Sequence, residues 1–256
     1  MAHMGNDKVK VTPTPMGWRL LFEPWSSAIQ DMEAWIAGER LHLGAEAEVI
    51  AGTWHGRPAI QKTRRPRTWR HPDLDRTLTR RRMTNEVKLM IWLHAKGASI
   101  PPIWDVDFEE GCIIMARVEG RQLIDVLQED GSSDGLLHGV GIAIRSLHRN
   151  GVTHGDLSTN NILITPSGES RLIDLGLANM EYELEGYGID LHVLHEILGA
   201  SHPDVKDAMK MVLDGYLSLD EKLGPAPKAP GGEVPSAKDI LKRLEEIKTR
   251  VRYHGG

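Results

Sequence analysis

The 256-residue sequence holds one cysteine, two phenylalanines and four tyrosines. A single thiol excludes an internal disulfide, which fits a reducing compartment and leads us to expect a cytoplasmic protein. Cys112 stands in the apolar run Cys112-Ile113-Ile114-Met115, so it reads as a core residue rather than a nucleophile. No apolar run approaches the length of a bilayer span and no secretory signal is visible, so no membrane partner is expected. Internal repeats and long low-complexity tracts are also missing. A formal net charge of -5 argues against a chain that binds nucleic acid over its whole surface.

What is present centres on Val152-Thr153-His154-Gly155-Asp156-Leu157-Ser158-Thr159-Asn160-Asn161. A helix leads into this stretch, because Leu137, Val140, Ile144 and Leu147 recur three and four apart and Gly151 stands where a C-cap glycine would. A hairpin leads out of it. Ile162-Leu163-Ile164 and Arg171-Leu172-Ile173 flank Thr165-Pro166-Ser167-Gly168, whose proline and glycine positions match a type I turn. The second strand runs into Asp174-Leu175-Gly176-Leu177. Helix, loop and hairpin thereby bring Asp156, Asn161 and Asp174 to adjacent strand and loop ends. Such a set suits a base that orients a hydroxyl beside one or two magnesium ions.

The rest of the chain supplies further elements. Met1-Ala2-His3-Met4 reads as a tag remnant, and residues 1–38 as this remnant plus an N-terminal extension. Within the extension, Ser26 or Ser27 is expected to cap a helix running through Gly38, with Ile29, Met32, Trp35 and Ile36 on one face. Leu41-His42-Leu43, the segment Gly44 to Ile50, and Arg57 to Lys62 read as strands, with small residues at Gly44-Ala45-Glu46 that let backbone N–H groups approach a phosphate. Eight arginines between Arg64 and Arg82, interrupted by Trp69, Asp73 and Asp75, form either a solvated helix face or a surface for an acidic partner, RNA or protein. The helix that follows has Met83, Val87, Met90, Ile91 and Leu93 as its apolar stripe, and Glu86 beside it can turn inward. An inward glutamate needs a cation, and Lys62 is the natural partner. Ile103 to Phe108 and Cys112 to Met115 read as a strand pair, Ala116 to Gly120 as a connection, and Leu123 to Leu127 as a helix. Helices are expected from Gly188 and from Pro203 to Leu219. A Gly/Pro-rich linker and a capped helix from Ser236 to Arg250 complete the chain.

The pair of motifs around Asp156 and Asp174 resembles the catalytic and metal loops of the protein-kinase-like fold, H-x-D-x-x-x-x-N followed by D-x-G. The resemblance implies an α+β bilobal fold: a β-rich N-lobe with one main helix over residues 39–116, and a reduced helical C-lobe over 117–256 that ends in a helix and a short basic tail. It implies a catalytic base at Asp156, magnesium ligands at Asn161 and Asp174, and a phosphate-binding Lys62 held by Glu86. The phosphate loop would be Gly44, Ala45 and Glu46. Met115, Ala116 and Val118 would border the adenine, with Val49, Ile60, Leu163 and Ile173 against its ring. His154 and Asp190 would be structural. Ser158 takes the catalytic-loop place usually held by lysine, and the A-P-E motif closing a long activation segment is missing.

The fuller set, Lys62-Thr63-Arg64-Arg65-Pro66-Arg67 with His154 to Asn161 and Ile173 to Leu177, resembles the small atypical kinase/ATPase subunit of the KEOPS complex, the PRPK-like family, over about Leu41 to Arg252. This implies an atypical serine/threonine kinase or ATPase using ATP and Mg2+ in support of tRNA threonylcarbamoyladenosine modification. The implied partners are the tRNA threonylcarbamoyl-transferase subunit and other KEOPS subunits, with tRNA contact through the Arg64–Arg82 region and the C-terminal tail. The alternatives are a RIO-type kinase, a small-molecule phosphotransferase and a non-catalytic nucleotide-binding scaffold.

Overall fold

The computed structural model describes residues 34–44, 46–129, 134–230 and 232–254. Five antiparallel strands, β1 (Trp35–Leu43), β2 (Ala47–Trp54), β3 (Arg57–Arg64), β4 (Ile103–Asp107) and β5 (Cys112–Ala116), form one sheet in the order β1-β2-β3-β5-β4. Helix α1 (Pro72–Ala95) crosses between β3 and β4. Pro72 begins it, the His71 ring caps it by accepting from the Asp73 N–H at 3.3 Å, and Gly97, at φ 73, follows its end.

Strand alternation decides what each sheet face meets. Ile113 packs with Met83 and Val87 of α1, whereas Cys112 and Ile114 join Ala59 on the other face, against Trp35, Trp54 and Trp104. Cys112 is the buried core residue that the apolar run implies.

The remaining elements are mostly helical. They are β6 (Arg121–Gln122), α2 (Leu123–Glu129), α3 (Asp134–His148), β7 (Val152–Thr153), a 3-10 turn (Thr159–Asn161), β8 (Ile162–Ile164), β9 (Ser170–Leu172), β10 (Asn179–Met180), α4 (Leu184–Ser201), α5 (Ala208–Leu223) and α6 (Ala237–His254). Leu137, Val140, Ile144 and Leu147 of α3 are all buried, as their spacing predicts. The hairpin turn closes through the Gly168 N–H on the Thr165 carbonyl at 2.9 Å.

Four expectations need correction. Trp35 to Gly38 do not end a helix but open β1, where Trp35 pairs with Trp54 and Ile36 with Thr53. Aromatic and β-branched residues fit a pleated surface well, and a partner strand outweighs a short helical spacing. Ser26, Ser27, Ile29 and Met32 lie outside the described residues. Helix α4 starts at Leu184, ahead of Gly188, and α5 starts at Ala208, well after Pro203, because Asp207 holds a left-handed φ of 55 at its threshold. The last helix follows its cap as expected, with Ser236 Oγ accepting from the Asp239 N–H at 3.2 Å, but continues to His254.

Two buried arginines tie α3 to α5 and to the linker. Arg145 places Nε and Nη2 on Asp220 at 2.9 and 2.7 Å and donates to the Pro235 carbonyl at 2.9 Å; Arg149 reaches Asp220 at 2.5 Å and the Gly224 carbonyl at 2.7 Å. The same two helices approach closely enough to demand glycine. A Cβ on Gly141 would sit 1.9 Å from the Val212 carbonyl oxygen, and one on Gly215 1.9 Å from that of His138. Gly141→Ala should therefore destabilise the protein by about 2 kcal/mol, overpacking outweighing the ~1 kcal/mol of helix propensity gained. A urea unfolding midpoint unchanged in this variant would contradict the close crossing.

Candidate active site

Register explains how a lysine is brought to a glutamate. Lys62 of β3 lies opposite Ile113 of β5 and Val49 of β2, so it shares the sheet face that α1 covers. Glu86 is on that helix, and Lys62 Nζ meets its Oε1 at 2.7 Å and Asp174 Oδ1 at 2.6 Å. Two positions along β3, Arg64 is on the same face and pairs with Oε2 of Glu86. Glu86 is thus buried between two cations. Arg64 was expected with the exposed arginine run, but its side chain is only 7% accessible; the alternation of β3 was the signal that separates it from that run.

Burial alone would lower the Lys62 pKa, but the charges of Glu86 and Asp174, and hydrogen bonds to both, more than offset it and hold it above the ordinary lysine value. Asp174 moves the opposite way. Burial would raise it, yet the Lys62 charge and hydrogen bond and the Gly176 N–H hold the carboxyl below its usual range. Lys62 is a cation and Asp174 an anion at neutral pH. Asp174 also holds a φ of 59, a left-handed conformation that costs a non-glycine residue and is found most often at functional sites.

The second cluster is the loop after β7. Asn161 Nδ2 donates to the Asp156 backbone carbonyl at 2.9 Å and to Asp156 Oδ2 at 3.0 Å. Asp156 is exposed, so its carboxylate is accessible to a substrate. The loop is joined to the metal-loop strand by His154, whose Nε2–H donates to the Ile173 carbonyl at 3.0 Å, one residue before Asp174. Asn85 of α1 donates to the Ala178 carbonyl at 3.0 Å, in the segment that follows Asp174. Gly155 is required here. Its φ is 77, and a Cβ would lie 2.3 Å from the Leu177 carbonyl oxygen, which explains glycine between His154 and Asp156.

Asp190 of α4 holds this loop from below. Its carboxylate accepts the His154 N–H at 2.5 Å and the Gly155 N–H at 2.9 Å. His148 Nε2 lies 3.2 Å from the same carboxylate, and its Nδ1 lies 2.8 Å from the Tyr216 hydroxyl, which Arg145 approaches at 3.4 Å. The pattern assigns a neutral His148 that donates to Asp190 and accepts from Tyr216. Burial pushes the His148 pKa down, against the hydrogen bond and charge of Asp190. Burial would raise Asp190, but the His148 bond and the two backbone N–H groups keep it low. His148 and Tyr216 were missed in the sequence, since their helices give no local sign that these residues converge.

The other predicted residues divide. Val49, Ile60, Met115, Ala116, Val118, Leu163 and Ile173 are all half-buried. Ile60 is directly opposite Met115, on the face of Lys62. Ala45 lies outside the described residues. Gly44 accepts from Arg65 Nη1 at 2.9 Å, and the Glu46 carboxylate is engaged by Arg67 and, at 3.7 Å, by Arg82. Ser158 is half-buried, and its carbonyl receives the Asn161 N–H at 3.0 Å in the 3-10 turn.

The donor set fits magnesium. Asn161 commits its Nδ2 to Asp156 and Asp174 its Oδ1 to Lys62, so among the described residues Asn161 Oδ1 and Asp174 Oδ2 receive no protein donor. No group of three or more His, Cys, Asp or Glu among the described residues could hold a metal alone. A hard cation here would share its coordination with substrate phosphates, as Mg2+ ordinarily does.

Comparison with known proteins adds to this geometry. A family model for the RIO domain matches residues 57–182. The chain is 30% identical over 216 residues to the EKC/KEOPS complex subunit BUD32 of Gibberella zeae, covering 76% of this chain and 77% of that protein. It is 29% identical over 225 residues to the EKC/KEOPS complex subunit Tp53rkb of Mus musculus, covering 84% and 86%. Against the probable bifunctional tRNA threonylcarbamoyladenosine biosynthesis protein of Methanothermobacter thermautotrophicus it is 33% identical over 214 residues, spanning 83% of this chain but only 36% of that protein. The crystal structure of the Rio2 kinase–ADP/Mg2+–phosphoaspartate complex from Chaetomium thermophilum aligns with TM-score 0.50 at 19% identity, covering 92% of this chain and 71% of that one. That likeness speaks to the fold, which is α+β and kinase-like. The RIO-type alternative and the KEOPS-subunit reading are therefore not exclusive.

The neutral, buried His148 makes stability depend on pH in a stated direction. The unfolded histidine binds a proton below about pH 6.5 while the folded one resists it, so stability is fully present above that value and falls as pH drops. His195 and His202, also lowered by burial, act in the same sense. The contribution of Asp190 is lost only at lower pH, below the carboxylate range. Urea unfolding at about pH 7.5 and about pH 5.5 should give a clear loss of stability for the wild type and a smaller loss for His148→Gln; an equal or greater loss in the variant would contradict a neutral His148.

Proposed function

Because the chain belongs to the Bud32 family of EKC/KEOPS complex subunits, we propose that it is the Mg-ATP-dependent atypical kinase or ATPase of such a complex, supporting tRNA threonylcarbamoyladenosine modification. Kinase or ATPase activity in general follows from the RIO-type domain. The observation that carries the finer reading is Lys62 Nζ, held at 2.7 Å from Glu86 and 2.6 Å from Asp174 beside the Asp156–Asn161 pair.

In this reading Lys62 neutralises the α- and β-phosphate oxygens of ATP, and Glu86 fixes its position. Val49, Ile60, Leu163 and Ile173 enclose the adenine ring, with Met115 behind it and the backbone of Ala116 and Val118 at its edge. Gly44, Ala45 and Glu46 cover the phosphates. Asn161 and Asp174 would hold Mg2+, which when bound neutralises charge developing on the transferred phosphoryl group. Asp156 orients a hydroxyl or a water for in-line attack and accepts its proton. Ser158 cannot supply the positive charge that a lysine would offer there, so turnover is slow.

Nine residues separate Asp174 from α4 (Leu184–Ser201), which supports a site lacking a peptide-docking platform. Serine/threonine transfer is then confined to a residue that a stable partner presents, and ATP hydrolysis is the alternative outcome of the same machinery. The archaeal relative named as bifunctional is much longer than this chain, which spans 36% of it. In this reading the partners are the threonylcarbamoyl-transferase subunit and other KEOPS subunits, and the relatives named as EKC/KEOPS complex subunits support partners of that complex. A cytoplasmic setting and tRNA contact through the Arg64–Arg82 region and the C-terminal tail belong to the same reading. Among the described residues no helix is long and apolar enough to cross a membrane.

The test is ATP turnover by the chain together with its transferase subunit and tRNA. Asp156→Ala should lose about two decades of rate while ATP binding survives. Undiminished turnover in that variant would overturn the assignment.

A further inference from the structure

The segment from Arg64 to Arg82 carries eight arginines against two aspartates, a net charge of +6 inside a chain of net charge -5. Local concentration of this kind is not explained by a generally basic surface. Five of these arginines, Arg64, Arg65, Arg67, Arg70 and Arg82, line one concavity, in which Glu46 is the sole carboxylate among the described residues.

The partners of these arginines show which remain available. Arg64 is committed to Glu86, and Arg65 to the Gly44 carbonyl. Arg67 holds Glu46, whereas Arg82 is 3.7 Å from that carboxylate and Arg70 is 3.4 Å from Asp75, both long for ion pairs. One glutamate thus stands before several cations and occupies the position a phosphate would take. Trp69, 71% exposed, adjoins two of these lining arginines, with the Arg70 guanidinium 4.5 Å and that of Arg67 5.9 Å from its ring centre. An exposed indole beside a cationic concavity matches the pairing used for single-stranded nucleic acid, in which guanidiniums take the phosphate and an aromatic ring takes an unstacked base. A phosphorylated peptide would use the cations but leave Trp69 without a role.

We propose that this concavity binds a phosphodiester of single-stranded RNA, displacing the Glu46 carboxylate, with an adjacent base stacked on Trp69. The choice of RNA rests on the proposed role at tRNA; the site itself does not.

The experiment is fluorescence anisotropy of the full chain with a labelled single-stranded RNA of about ten nucleotides across a salt series. Trp69→Ala should weaken binding about tenfold with little change in salt slope, and Trp69→Phe should restore most of it. Arg70→Ala and Arg82→Ala should each flatten the slope by about 0.7. Glu46→Gln should tighten binding by removing the competing carboxylate. RNA affinity unmoved by Trp69→Ala overturns the proposal, as does displacement of the RNA by a phosphopeptide that binds wild type and Trp69→Ala equally. Fluorescent ATP binding and turnover run in parallel separate the two readings: an active Asp156→Ala enzyme with intact RNA binding removes the proposed function and leaves this site standing.

Discussion

A lysine ammonium and a glutamate carboxylate taken out of water together impose the main constraint on this molecule. Lys62 and Glu86 are each nearly inaccessible, and burying either alone would cost several kcal/mol. Their pairing at 2.7 Å offsets that cost only while β3 and α1 keep their relative position. The ion pair is therefore best understood as a positional device rather than a source of net stability. Arg64 strengthens it by taking the second oxygen of Glu86, and Asp174, at 2.6 Å from Lys62, extends it to the segment that follows the hairpin. Sheet, helix and hairpin meet at one ammonium group.

The loop from His154 to Asn161 depends on a different kind of support. Asp190 collects two consecutive backbone N–H groups, from His154 and Gly155, and is itself fixed by His148, which is held in turn by Tyr216 and, through it, Arg145. Arg145 also anchors Asp220 and the Pro235 carbonyl, so the loop shares a polar network with the Gly/Pro linker. Such networks rigidify when every member is satisfied and become costly when one is lost. The glycine in His154-Gly155-Asp156 is a packing requirement as well as a motif letter, because a Cβ there would meet the Leu177 carbonyl oxygen at 2.3 Å.

Much of this was legible in the sequence because the informative features are local. The step from Asp156 to Asn161, the type I turn and the run into Asp174 sit within one short stretch, and the apolar spacing of α3 is unbroken by tertiary demands. Glu86 was legible from physical need, since a glutamate beside an apolar stripe requires a cation. What escaped notice was set by residues distant in sequence. Gly141 and Gly215 look like weak points in helices until α3 and α5 are seen to cross there. Arg64 resembled its arginine neighbours and differs from them only through strand alternation. Trp35 and Ile36 had a helical spacing, and a partner strand at Thr53 and Trp54 claimed their backbone. His148, Tyr216 and Asp190 come together from three helices, which no single-segment pattern records.

In the proposed site Asp174, which holds Lys62 at 2.6 Å, would also carry a share of a magnesium ion on bound ATP. Isothermal titration of the full chain with ATP, in the presence of Mg2+ and in the presence of a chelator, tests it directly. Mg2+ should tighten ATP binding to the wild type, and Asp174→Asn should lose this gain while keeping most of the metal-free affinity. A wild type indifferent to Mg2+, or an Asp174→Asn variant that retains the full gain, would contradict it.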